Sequence, residues 1–196
     1  VPQDLQKYLL RLVGIRVQCS LTGADFSGRN LSGINLSGLD LSGAKFINTN
    51  LSQANLSNAD LTKADLSMAT VIDTNLTGAN LTEAKCHKAF VIRSKFKSAN
   101  FTRADFQYGK LVGSELHEAN LSDAKFIAVN ITNSSFFGAL FKRTNLANAY
   151  IVTSQFTFVD QYTMLTGQRL WQYLRDTIGY KIDFSNRFWH DNGKAW

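Results

Sequence analysis

A large apolar side chain recurs at every fifth residue from Leu21 to Phe156 without one slip of frame. The series opens Leu21, Phe26, Leu31, Leu36, Leu41 and closes Phe141, Leu146, Ile151, Phe156, 28 positions in all. Two residues before most of them stands a small one, Ala in 15 of the 28 and Ser, Thr or Gly in eight. Between the two lies Asn or Asp, again in 15 of 28, so the repeating unit is five residues long and has a fixed internal order. A period of five suits neither regular element. In a strand, side chains alternate, and a step of five sends the large residue to the opposite face. In an α-helix, five residues turn through roughly 500°, which scatters the Leu and Phe around the axis. The chain must turn a corner every five residues and always aim the large residue inward. Asn, Asp, Ser and Gly suit such corners, and Gly23, Gly28, Gly33, Gly38 and Gly43 fall where a positive φ is needed. The small residue shares the interior without overfilling it.

Units such as Ala54-Asn55-Leu56-Ser57-Asn58, Ala64-Asp65-Leu66-Ser67 and Ala79-Asn80-Leu81-Thr82 resemble the pentapeptide repeat, A-(D/N)-L-x-x. The resemblance covers residues 19–158. It implies an all-β solenoid: a right-handed quadrilateral β-helix with four units per coil, hence about seven coils. At a strand spacing of ~4.8 Å the rod would be roughly 34 Å long. The charges support four sides independently. Residues twenty apart read Asp25, Lys45, Asp65, Lys85, Asp105, Lys125 in one column and Lys63, Glu83, Arg103, Asp123, Arg143 in another. Opposite signs one strand apart attract. A three-sided coil would stack Asp25, Asp40, Asn55, Thr70 and Lys85, with no such alternation.

A solenoid needs caps over its end coils. Short helical caps are expected at both ends. Residues 2–13 read as a helix with Pro2 at its start, Leu5, Tyr8, Leu9 and Leu12 on one side, and Gly14 after it. Thr166 starts a second helix, with Leu170, Trp171, Leu174 and Ile178 at helical spacing and Gly179 as its stop. The expected division is therefore an N-terminal helical cap over 1–20, the β-helix over 21–158, and a C-terminal helix with an aromatic tail over 159–196. The first residues do not read as a signal peptide. The chain starts without Met and reads as a processed or excised piece. No run of ~18 apolar residues exists, so no membrane span is expected.

Catalytic motifs are missing from the sequence. His87, His117 and His190 show no metal-ligand spacing. Cys86 takes an inward position and reads as a buried, inert thiol. Cys19 is several coils away, too far for a disulfide. Repeated Asn-x-Ser/Thr triplets are the repeat itself rather than glycosylation sites. The expectation is a non-enzyme without cofactor or metal.

Function then lies on the outer surface, where two features rise above the Ser/Thr background. The residue after the inward one becomes Ile72, Ile92, Val112, Thr132 and Val152 on one side, with Phe90 and Tyr150 nearby. These form an apolar strip expected to bind a partner. The second feature is a basic girdle, Lys85, Lys88, Arg93, Lys95 and Lys97, in a stretch with no acid.

The leading expectation is a protein-binding or scaffold module with a rigid flat surface. A homodimer contact through the C-terminal segment or the apolar side is a further expectation. The net charge is +6, and residues 21–156 carry 13 cations and 10 carboxylates. The family resemblance also implies an alternative, the DNA-mimicking gyrase binders of fluoroquinolone resistance. Those depend on a continuous acidic surface, and here Lys interrupts the Asp columns. A second alternative is an accessory targeting domain of a larger enzyme. Nucleic acid is not expected as a partner, since the charge is not gathered on one face with aromatics between. A cytoplasmic location is expected, with lumenal or secreted-effector locations as the alternatives that the resemblance allows.

Overall fold

The computed structural model describes residues 21–152 and 154–156. Each five-residue unit there makes one side of a coil, and each coil takes twenty residues. Residues pair in parallel with those twenty ahead, as in Asp25↔Lys45, Lys45↔Asp65, Asp65↔Lys85, Lys85↔Asp105 and Asp105↔Lys125. The backbone ladder repeats on every side. Leu61 N–H donates to Asn80 O at 2.7 Å, and Asn80 N–H donates to Ala59 O at 2.9 Å. The expected columns of opposite charge are thus real neighbours.

The corners explain the composition. Every residue two after an inward one, from Gly23 to Asn148, has φ between +47° and +70°. Most corners are closed by a tight turn, such as Ala64 N–H to Leu61 O at 2.9 Å. The outward Asn or Asp caps the same corner: Asn50 Oδ1 accepts from Ser52 N–H at 3.0 Å and Asp60 Oδ1 from Thr62 N–H at 2.9 Å. Asx turns of this kind fix the chain locally before any long-range contact forms.

The inward residues form one continuous core. Leu41, Phe46, Leu51, Leu56 and Leu61 are fully enclosed, and the alternating Ala44, Ala54, Ala59 and Ala64 fill the space between them. Phe26 stacks on Phe46 with ring centroids 5.1 Å apart, and Phe106 stacks on Phe126 at 5.2 Å. Cys86 lies in the same column and is buried as a free thiol. Burial, with Asp65 and Asp105 close by, raises its pKa far above the usual thiol range.

Among the described residues, extended strands appear on two sides only. Strands β1 (Thr70–Ile72), β2 (Phe90–Ile92), β3 (Lys110–Val112), β4 (Asn130–Thr132) and β6 (Tyr150–Val152) form one parallel sheet. Strands β5 (Ser135–Phe136) and β7 (Gln155–Phe156) form a second, two-stranded sheet.

The expected architecture needs correction. The solenoid is all-β, but its regular ladder covers four coil-to-coil steps, from Thr70 to Val152, rather than about seven coils. Before Thr70 the same side is held by single bridges, Asn30↔Asn50 and Asn50↔Thr70. There Ser32 and Ser52 follow the inward Leu and keep the tight turn, whereas β-branched Ile72 and Ile92 favour the extended form. The helical caps are also not part of the described structure, which contains no helix. The segments assigned to them, 2–13 and 166–179, lie outside the described residues, as do Cys19, His190 and the aromatic tail.

Candidate functional site

The five-stranded sheet carries the apolar strip. Its register aligns Thr70, Phe90, Lys110, Asn130 and Tyr150 in one outward column. Ile72, Ile92, Val112, Thr132 and Val152 align in the next. All six apolar residues expected at a partner surface therefore share one sheet. Ile72, Ile92, Val112 and Val152 are half-buried by their neighbours above and below. Phe90 and Tyr150 stand out, at 36% and 44% exposure.

A buried row of hydroxyls makes this sheet possible. In the second coil the corner after Leu51 is tight, with Ala54 N–H bonded to Leu51 O at 3.0 Å. From Val71 onward the corner opens and that bond is lost. Thr74 N–H turns instead to Ser94 Oγ at 3.1 Å, and the Ser94 hydroxyl reaches Val71 O at 3.0 Å. Ser94 N–H meets Ser114 Oγ, Ser114 N–H meets Ser134 Oγ, and Ser134 N–H meets Ser154 Oγ, at 3.1–3.2 Å. An open corner buries an unpaired N–H and C=O, and the next coil's hydroxyl satisfies both. This is why Thr74, Ser94, Ser114, Ser134 and Ser154 replace Ala on this side. Read only as small residues, they concealed the change of corner. The signal was present in Ile72-x-Thr74, Ile92-x-Ser94 and Val112-x-Ser114.

The sequence reading missed two further members of the surface. Met68 and Tyr108 occupy corner positions at the edge of the same sheet, 50% and 55% exposed. Tyr108 packs edge-on to His87, with ring centroids 5.3 Å apart. Lys110 Nζ lies 5.6 Å from the centre of the Phe90 ring. A separate exposed pair, Phe137 and Leu140, sits away from this sheet, with Phe137 against His117.

The basic girdle is not drawn together into one site. Lys85 stands in register between Asp65 and Asp105, and Lys95 beside Glu115. Arg93 is held by Asp73 through a two-pronged contact, Nε to Oδ1 at 2.8 Å and Nη2 to Oδ2 at 2.7 Å. That bond lowers the Asp73 pKa and raises that of Arg93. Lys88 and Lys97 are exposed and project from different units. Elsewhere the second charge column holds two bonded groups, Lys63-Glu83-Arg103 and Asp123-Arg143. Arg103 and Lys63 flank Glu83 at 3.3 and 3.8 Å, and Arg143 grips Asp123 at 2.5 Å. In the first column Lys45 and Asp25 reach 4.0 Å. Among the described residues no group of three or more His, Cys, Asp or Glu can hold a metal ion. No helix among them is long and apolar enough to cross a membrane.

The family model for pentapeptide repeats (8 copies) matches residues 19–58, 40–78, 59–97 and 99–136. The chain belongs to the pentapeptide repeat family. No curated protein is similar to it in sequence. Several solved structures are similar to it in fold. One is HetL from the cyanobacterium Nostoc sp. strain PCC 7120, a pentapeptide repeat protein involved in heterocyst differentiation regulation. It is 19% identical, over 80% of this chain and 95% of its own, at a TM-score of 0.45. A pentapeptide repeat protein of the Arabidopsis thaliana thylakoid lumen is 28% identical, over 57% and 70%, at 0.41. QnrB1, a plasmid-mediated fluoroquinolone resistance protein, is 22% identical, over 83% and 92%, at 0.35. Likenesses of this strength carry no role from those proteins to this one.

Proposed function

We propose that this pentapeptide-repeat solenoid is a non-enzymatic protein-binding module and that the five-stranded sheet is its docking surface. One observation carries the reading. On a described prism coated mainly with Ser, Thr, Asn and charged residues, apart from the exposed Phe137 and Leu140, one flat sheet presents Phe90, Ile92, Val112, Tyr150 and their neighbours in register. Contiguous apolar surface of this kind marks interaction sites, and parallel sheet is ordinarily covered. Its rigidity lowers the ordering cost of association.

The test replaces Ile92 and Val112 together by Lys. Both side chains point outward, so the circular dichroism spectrum and melting transition should stay close to wild type. Association with a partner, followed by light scattering and by pull-down, should be lost. Unchanged association in a folded double variant refutes the docking role of the sheet.

The second reading is a DNA-mimicking gyrase binder, the role known for fluoroquinolone-resistance members of the family. Between residues 21 and 156 the chain has 13 cations against 10 carboxylates, set in alternating columns. Imitating duplex DNA requires a continuous line of negative charge, so the first reading is preferred. A supercoiling assay decides between them: protection of gyrase by the purified chain would favour mimicry, and indifference would favour the sheet.

A further inference from the structure

The sheet is free of carboxylates. From Ser67 to Ile72 and through the equivalent residues of each later coil, Asp and Glu are absent. The nearest carboxylate, Asp73, is already engaged by Arg93. Two cations stand within the band: Lys88, exposed between Met68 and Tyr108, and Lys110, set against the Phe90 ring. In two columns elsewhere on the described prism, Asp25 to Lys125 and Lys63 to Arg143, cations alternate with carboxylates.

We infer that the docking sheet receives an acidic polypeptide segment, one in which carboxylates are interspersed with aromatic or aliphatic side chains. The inference rests on the reading of the sheet as a docking surface and adds the chemistry of its occupant. Three arguments converge. A carboxylate of the partner gains a charge-assisted contact with Lys88 or Lys110 without any competing acid on the surface. Its apolar side chains cover Phe90, Ile92 and Val112, and the excluded water strengthens the charge contact. A second copy of the same sheet is disfavoured, because a face-to-face pair would bury four lysines and no carboxylate. Nucleic acid is disfavoured too. Two lysines neutralise about two phosphates, whereas substantial phosphate binding enlists several more.

The experiment uses the full chain and a fluorescein-labelled synthetic peptide in which Asp and Glu alternate with Phe and Leu. A peptide with Lys and Arg in place of the acids, and labelled oligo(dT), serve as controls. Anisotropy at ~50 mM salt should show binding of the acidic peptide only, weakening as salt rises. Reversing Lys88 and Lys110 together to Glu should weaken it by about tenfold or more. Reversing Lys97 and Lys142, which lie on other sides, changes the net charge equally and should have little effect. Ile92→Ser with Val112→Ser should also weaken it. If the serine pair weakens peptide binding and the Lys88/Lys110 reversal does not, the sheet docks a partner but the inference of an acidic one fails. If neither pair matters, both readings fail. Equal binding of acidic and basic peptides overturns the proposal. So does preference for oligo(dT), or a dimer in sedimentation that the serine pair abolishes.

Discussion

At the scale of the residue, the corner position is the strained one. Eighteen residues other than glycine hold φ near +50° to +60° there, a conformation that costs an L-residue about 1 kcal/mol. Ala128, at φ 53°, has no polar side chain to offset that cost. Ala128→Gly should therefore raise stability, by up to about 1 kcal/mol after the greater unfolded-state freedom of glycine is subtracted. A urea denaturation midpoint above that of wild type would bear this out. The small position behaves in the opposite sense at Gly109. A Cβ there would lie 2.6 Å and 2.7 Å from Phe106 ring atoms and 3.2 Å from Ala89 O. Phe106 cannot yield freely, since it is stacked on Phe126. Gly109→Ala should cost about 1–3 kcal/mol, although Ala is the common residue at this position elsewhere in the chain. A melting temperature equal to wild type would show that the ring stack is looser than its geometry states.

At the scale of the element, the open corner and its hydroxyl row decide where strand replaces turn. Ser94→Ala leaves Thr74 N–H and Val71 O buried without their partner and should cost about 1–3 kcal/mol. Ser94→Thr restores the hydroxyl, as Thr74 does in the coil before, and should recover most of the loss. Equal stability of the Ala and Thr variants would mean the corner reverts to the tight form seen after Leu51. The five-residue unit was legible from spacing alone; the twenty-residue coil was implied by the family resemblance, and the charge columns at that interval supported it. The apolar strip was legible at the same interval. The extent of the sheet was not, since size alone does not distinguish Ser94 as a filler from Ser94 as a backbone ligand. The girdle was legible as a run of cations along the chain, but its surroundings are set by the columns. Lys85, Arg93 and Lys95 lie within eleven residues of chain, but their electrostatic neighbours are twenty residues away.

At the scale of the whole molecule, the rod is laced by ion pairs along its surface, and this fixes its response to acid. Asp73 and Asp123 have lowered pKa values because Arg93 and Arg143 donate to them, and Asp25 because Ser27 does, with Lys45 adding a smaller share. A carboxylate whose pKa is lower folded than unfolded stabilises the fold above its unfolded value, about 3.9 for Asp. That contribution disappears as pH falls through the folded value. The melting temperature should hold steady from neutral pH to about 5 and decline below about 4. In Arg93→Gln the part of the decline due to Asp73 should vanish, while that due to Asp123, more than two coils away from Asp73, should persist.

The fixed interval of twenty residues between partners has a consequence for how such a chain can change length. Adding or removing one whole coil leaves every surviving column in line, so Lys still meets Asp and Val still meets Ile. Adding five residues rotates all later units by one side. Val91 would then lie over the column of Leu56 and Leu76, and the hydroxyl row would meet tight corners that have no use for it. Growth is therefore quantised: single units can be gained or lost only at the ends, and the interior must evolve in steps of four.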